Sequence, residues 1–83
     1  MKLLHLVDSV SGADTTVKIE RVEYPSGEMD LNVHQIEGTY RSVEEFDVAW
    51  DRDPKKDGLV NFISVSLMDG RKLVNALLEE IKG

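Results

Sequence analysis

The sequence predicts an α+β, two-layer domain, with an antiparallel sheet of four to five strands covered on one face by a C-terminal helix. Two observations carry this prediction. Segments rich in β-branched residues alternate with polar turn residues over most of the chain. The C-terminal segment instead spaces its apolar residues three and four positions apart, as an amphipathic helix does. One sheet and one helix are the simplest way to bury both apolar surfaces.

Three strands are predicted in the N-terminal half of the chain. Residues 2–7 are short and nearly all apolar, and residues 15–24 contain a dense set of β-branched side chains. The segment 25–28 suits a tight turn, because it combines proline, serine and glycine. Residues 29–36 alternate apolar and polar side chains and therefore return as the second strand of a hairpin.

Residues 40–51 allow two interpretations. As a helix, the segment begins with Ser42 as the N-cap, and Glu45 completes a capping box. As a strand, its apolar residues alternate on one face. Glutamate and aspartate disfavour the strand, but Val48 falls outside the helical apolar stripe and acids at the end of a helix oppose its dipole. We expect the strand.

The remainder of the chain is predicted to contain a charged loop, a strand and a helix. Residues 52–58 form the loop, and residues 59–68 form a strand that completes a second hairpin. Residues 71–82 form the helix, with Asp69 at its start and Gly83 at its end. The Asp-Gly pair before this helix is also typical of a tight hairpin turn, but the helix-forming run that follows it favours the helix.

Composition limits both the organisation and the chemistry of the chain. Its 83 residues are enough for a single domain spanning 1–83. Cysteine is absent, which excludes a disulfide framework, a thiolate zinc site and a cysteine nucleophile. The longest apolar run is too short for a membrane span and lacks the features of a signal peptide. We therefore expect a cytoplasmic protein that does not contact a membrane.

The charge balance argues against direct binding of nucleic acid. Sixteen acidic residues against ten basic residues give a formal net charge of −6, and the basic residues are scattered. A nucleic acid repels such a surface. The same charge can attract a basic protein, including one whose surface otherwise holds nucleic acid, or it can serve solubility alone.

No pattern of catalytic or metal-binding residues is found in the sequence. His5 is expected to be partly buried at the edge of the core, and His34 is expected on a solvated strand face. They lie on separate predicted strands, and neither belongs to a nucleophile–histidine–carboxylate motif. The acids Asp51, Asp53 and Asp57 only partly match the spacing of a calcium loop, and two lysines intervene. The glycines stand singly, without phosphate-loop spacing. We expect no catalytic activity, no cofactor and no bound metal.

The predicted site is an acidic and aromatic stretch between residues 37 and 53. Six acids and two bases give this stretch a charge of −4, and it holds three of the five aromatic residues. An acidic patch beside aromatic anchors suits protein binding. The other interpretation is that the aromatic residues belong to the core and the acids are their solvated neighbours. The predicted partner-binding residues are Glu37, Tyr40, Glu44, Glu45, Asp47, Asp51 and Asp53.

The function that these observations favour is a small acidic, non-catalytic protein-binding module. It would act as an inhibitor or adaptor that covers a surface of a larger partner protein. Small, acidic, cysteine-free domains of this kind occur among phage-encoded inhibitors of host nucleic-acid machinery, a similarity of composition alone. The alternative is a structural subunit that forms oligomers by pairing sheet edges. A monomer and a homodimer are both compatible with the sequence.

Overall fold

The computed structural model describes residues 2–53 and 64–82. Its strands form one antiparallel sheet in the order β1-β2-β3, so β2 is central. The α+β class, the antiparallel sheet and the C-terminal helix are thereby confirmed. The elements are β1 (Lys2–Val7), β2 (Asp14–Glu23), β3 (Met29–Glu37), α1 (Val43–Arg52) and α2 (Leu67–Lys82).

The hairpin of β2 and β3 follows its local sequence closely. The register pairs Glu23 with Met29 at the two ends of the turn. Gly27 has a φ of 90°, a left-handed conformation that glycine adopts without steric cost. The N–H of Tyr24 donates to the carbonyl of Glu28 across the turn, at 2.9 Å. The predicted bounds of all three N-terminal strands agree with the structure to within one residue.

One face of the sheet carries an aliphatic core, and α2 covers it. The helix packs mainly on β1 and β2. Burial of these aliphatic side chains is non-directional and proportional to the area removed from water. An ion pair between Lys2 and Glu79 also connects β1 to α2. The buried members of the core are Leu6, Val17, Ile19 and Ala76, and the partly buried residues around them are Leu4, Val65, Leu73 and Leu77.

Residues Val43–Arg52 form the helix α1, so the predicted strand over residues 40–51 is wrong. This helix contacts the face of the sheet opposite α2. The Ser42 hydroxyl accepts the N–H of Glu45 at 3.1 Å, and the Glu45 carboxylate accepts the N–H of Arg41 at 3.1 Å. The first bond satisfies a backbone donor that a helix start otherwise leaves unpaired, and the second holds the residue before the N-cap to the first turn. The helix also buries Phe46 completely. Capping and burial together outweigh the alternating pattern that predicted a strand.

The two objections to a helix in this segment have simple physical answers. Val48, which lies off the apolar stripe, stays in solvent with 53% of its surface exposed. Arg52 lies in the last helical turn, where a cation is favourable and offsets the nearby acids. The sheet was predicted to be covered on one face only, but its other face contacts a second helix, and the described elements do not reproduce the predicted two-layer packing.

The prediction of a strand at 59–68 is not confirmed. Its first five positions, together with 54–58 of the predicted loop, lie outside the described residues, as does Gly83. Residues 64–66 are irregular, and α2 begins at Leu67. The described part of the sheet contains three strands in place of the predicted four to five.

The start of α2 lies earlier than the predicted start at residue 71. The Ser66 hydroxyl accepts the N–H of Asp69 at 3.2 Å, as an N-cap side chain does. Asp69 therefore lies inside the first turn instead of capping it. Its carboxylate accepts the N–H of Val7 at 3.0 Å and so ties the helix start to the end of β1. The Asp-Gly pair is part of the helix and not a hairpin turn.

Candidate functional site

The structure brings most of the predicted site residues together on α1. Four of the seven lie on the helix itself, and a fifth forms its C-cap. The other two lie at the end of β3 and in the connection that leads into the helix. On α1 are Glu44, Glu45, Asp47 and Asp51, the C-cap is Asp53, and the earlier two are Glu37 and Tyr40.

Aromatic rings fix α1 against the sheet. The Phe46 ring lies edge-on to Tyr40, with centroids 6.2 Å apart, and nearly parallel to Trp50, with centroids 6.3 Å apart. The Trp50 ring contacts His34 of β3, with centroids 4.7 Å apart. Phe46 therefore belongs to the core, as the second interpretation of this stretch held. Trp50 is partly buried and packs inward as well.

An ion pair connects α1 to the central strand. The Lys18 ammonium lies 2.7 Å from the Asp47 carboxylate, and the exposed fractions of their side chains are 11% and 50%. The same ammonium lies 5.6 Å from the centre of the Phe46 ring, within the range of a cation–π contact. A buried charge requires a partner of this kind. Asp47 therefore serves the fold. The sequence signal for Lys18 was a cation directly between the β-branched residues Val17 and Ile19.

Tyr40 also has a structural role. Its N–H donates to the Thr16 hydroxyl at 3.1 Å, and that hydroxyl donates to the Gly38 carbonyl at 2.8 Å. The Tyr40 carbonyl lies 2.7 Å from Nε2 of His5, which must be the donor because a carbonyl only accepts. These bonds hold the chain between β3 and α1 on the sheet, and the ring of Tyr40 faces Phe46.

Both histidines differ from their predicted environments. His5 was expected to be partly buried at the edge of the core, but it is exposed on the face that α1 contacts. His34 was expected on a solvated face, but it is partly buried beside Trp50. Over residues 2–53 and 64–82, the structure contains no group of three histidine or acidic side chains that could hold a metal ion.

The solvent-facing side of α1 carries Glu44, Val48 and Asp51 on successive turns. All three are exposed, and their spacing of four and three places them in one row. We call this row the acidic row. Glu45 and Arg52 flank it. The row combines two carboxylates with one exposed apolar side chain, which suits a partner surface with basic groups around a small apolar patch. Val48 was missed as a site residue, and its position off the helical stripe was the available signal.

The pKa values of Asp8 and Tyr24, which do not belong to the acidic row, are shifted by hydrogen bonds in two turns. The backbone N–H groups of Ser11 and Val10 hold the pKa of Asp8 below its ordinary value of 3.8. The hydrogen bond from Tyr24 to Asp30, at 3.0 Å, raises the pKa of the tyrosine hydroxyl above 10.0. Both shifts follow from bonds that favour one protonation state. They stabilise turns at the ends of strands and indicate no reactive group.

Comparison of the chain with protein-family models, with curated proteins and with solved structures gave no match. Neither helix in the described residues is long and apolar enough to cross a membrane. The fold and the acidic row define the class of protein only as a small α+β domain with a solvent-facing acidic helix. Its function must therefore be argued from surface chemistry.

Proposed function

We propose that the protein is a non-catalytic binding module, an inhibitor or adaptor that covers a basic surface of a larger protein with the acidic row of α1. The observation that carries this proposal is the division of α1 into two sides. One side is fixed to the sheet by Phe46 and by the Lys18–Asp47 ion pair. The other side presents Glu44 and Asp51 to solvent.

The fixed helix favours binding because it is already ordered before the partner arrives. Ordering a loop or a mobile side chain on association costs free energy. The Ser42 cap, the buried Phe46 ring and the ion pair to Lys18 hold the α1 backbone in the free protein. A partner therefore meets a preformed row of carboxylates, and little of the binding energy is lost to ordering the helix.

The charge of the row favours a basic partner surface, such as one that otherwise binds nucleic acid. Carboxylates at the rim of an interface accelerate association and add salt sensitivity more than they add affinity. Val48 lies between Glu44 and Asp51 in the row and offers a small apolar contact from which water is excluded on binding. The net charge of −6 adds a long-range attraction to the same basic surface.

The test requires charge reversal at the exposed acids of the row. Glu45 is unsuitable because its carboxylate bonds the backbone at the start of the helix, and Asp47 is unsuitable because it pairs with Lys18. The double variant Glu44→Lys/Asp51→Lys changes only exposed side chains of the row and shifts the net charge from −6 to −2. The matched control is Asp14→Lys/Glu23→Lys at the two ends of β2, which makes the same change in net charge on exposed residues.

A tagged pull-down from the native host, read by mass spectrometry, identifies the partner. Association kinetics with the purified partner are then measured at low and high salt. We expect the α1 variant to bind about tenfold more weakly or worse at low salt, with most of the loss in the association rate. The control should stay within about threefold of the parent. Equal losses in both variants, or parental binding by the α1 variant, would contradict the proposal.

A further inference from the structure

The second helix leaves part of its sheet face uncovered. It packs mainly on β1 and β2. On β3, Val33 pairs with the buried Ile19 and therefore points to the same face, as does Met29 further along the strand. Both side chains remain about half exposed. A strip of apolar strand surface thus runs beside the helix and is not covered by it.

The flank of α2 that faces this strip is apolar as well. Val74, Leu78 and Ile81 follow one another at spacings of four and three and so form one row along the helix. Ile81 lines a shallow cleft together with Met29 and Leu31, which fixes the side of the helix on which the row lies. The helix row and the strand strip therefore form one continuous surface, here called the α2–β3 surface.

The size of the α2–β3 surface matches what a small homodimer requires. Met29, Val33, Val74, Leu78 and Ile81 are between 46% and 58% exposed. Half-exposed side chains of this size present about 500 Å² of apolar area in total. A standard interface buries about 800 Å² on each partner, and about two thirds of that area is apolar in homodimers.

The charges around the α2–β3 surface are complementary to each other. On its helix side lie Arg71 and Lys82, and at the two ends of β3 lie Glu28 and Glu37, all of them exposed. A two-fold axis places the helix side of one copy against the strand side of the other. Each basic residue then meets an acidic end of β3, and these contacts offset part of the repulsion between two chains of charge −6.

We infer that the protein forms a two-fold symmetric homodimer in which the α2–β3 surface of one copy covers that of the other. Side chains of the helix and strand make this contact, in contrast to oligomers formed by pairing sheet edges. α1 lies against the opposite face of the sheet, so the dimer leaves both acidic rows accessible. The inference is independent of the function proposed for α1.

The test is the mass of the full chain in solution over a concentration series, by sedimentation equilibrium. We expect the parent to approach twice its mass of 9.3 kDa. Leu78→Glu should raise the dimer dissociation constant about tenfold or more, because it places a charge at the centre of the contact. Val48→Glu on α1, where the side chain is similarly exposed, is the matched control and should leave the dimer intact.

A charge-swap series tests the two-fold arrangement itself. Arg71→Glu and Glu37→Arg should each weaken the dimer, and the double variant should recover most of the loss, because the two residues meet across the axis. Val33→Lys on β3 repeats the disruption should Leu78→Glu fail to fold. A parent that stays at 9.3 kDa at every concentration would overturn the inference. A folded Leu78→Glu variant that dimerises like the parent would do so as well.

Discussion

On one side of the sheet α2 buries aliphatic side chains, whereas on the other side α1 packs aromatic rings against polar residues of β2. Val17 and Ile19 point to the first side. Thr16 and Lys18 alternate with them and point to the second. One strand thus supplies both environments, because successive side chains of a strand point to opposite faces. All of these residues are buried, so polarity and not exposure distinguishes the two sides.

The two sides differ in the kind of contact that places each helix on the sheet. Aliphatic burial is non-directional and tolerates small adjustments of the helix. The α1 side relies on directional contacts, including the Ser42 cap and the ion pair from Lys18 to Asp47. Buried polar groups are costly when unpaired, so alternative placements of α1 are disfavoured. Directional contacts also reach α2, from Asp69 to the N–H of Val7 and from Glu79 to Lys2, but the buried contact of α2 with the sheet is aliphatic, whereas α1 pairs with a buried cation there.

The largest effect is expected from a charge in the aliphatic core. Ala76→Asp places a carboxylate at a fully buried position between α2 and the sheet. The cost is several kcal/mol against a total stability of about 5–15 kcal/mol, so the cooperative fold should be lost. Circular dichroism during a thermal melt measures this. The neighbouring Asn75→Asp adds the same charge on an exposed position and should melt like the parent. Parental melting of Ala76→Asp would mean that α2 does not cover the sheet.

An intermediate effect is expected from removing the ring that anchors α1. Phe46→Ala deletes a fully buried aromatic side chain and should cost about 3–5 kcal/mol. Urea denaturation, followed by the fluorescence of the single tryptophan, Trp50, measures the change. Val48→Ala on the exposed side of the same helix should alter stability by less than about 0.5 kcal/mol. Equal costs for the two variants would show that α1 is not packed on the sheet through Phe46.

The smallest effect is expected from breaking the ion pair on the α1 side of the sheet. Asp47→Ala leaves the largely buried Lys18 ammonium without its carboxylate and should cost about 1–2 kcal/mol, since Asp47 itself is half exposed. Adding Lys18→Met should recover most of that loss, because methionine keeps an apolar stem beside Phe46 and removes the unpaired charge. Urea denaturation of both single variants and the double variant gives the coupling energy. A coupling energy near zero would contradict a stabilising ion pair.

The strands were predictable because their signals are local. The turn around Gly27 and the alternation along β2 are visible in the sequence itself. The helix α1 was mispredicted because Phe46 and Trp50 fit a strand face and a helix stripe equally well. The cap at Ser42 is local, but the other contacts that favour the helix are distant in sequence, since Thr16 and Lys18 hold this region to β2. No local pattern in β2 predicts that a helix will cover its polar side.

The acidic character of the candidate site was predictable, but the role of each acid was not. Glu44 and Asp51 are exposed in the acidic row, as a binding role requires. Glu45 caps the helix and Asp47 pairs with Lys18, so these two serve the fold. The distinction depends on helical rotation, which a strand assignment could not supply. The same rotation places Val48 in the row.

The central position of β2 has a consequence for how the molecule responds to ligands. Since the two helices pack on alternate side chains of the same strand, we expect the opening of one layer to disturb the other, so that the two helices share one cooperative unit. A ligand that binds only the folded form raises the free energy of opening for that whole unit. A partner bound at α1 would thereby slow amide hydrogen exchange in α2 on the far side of the sheet, without moving a single atom there.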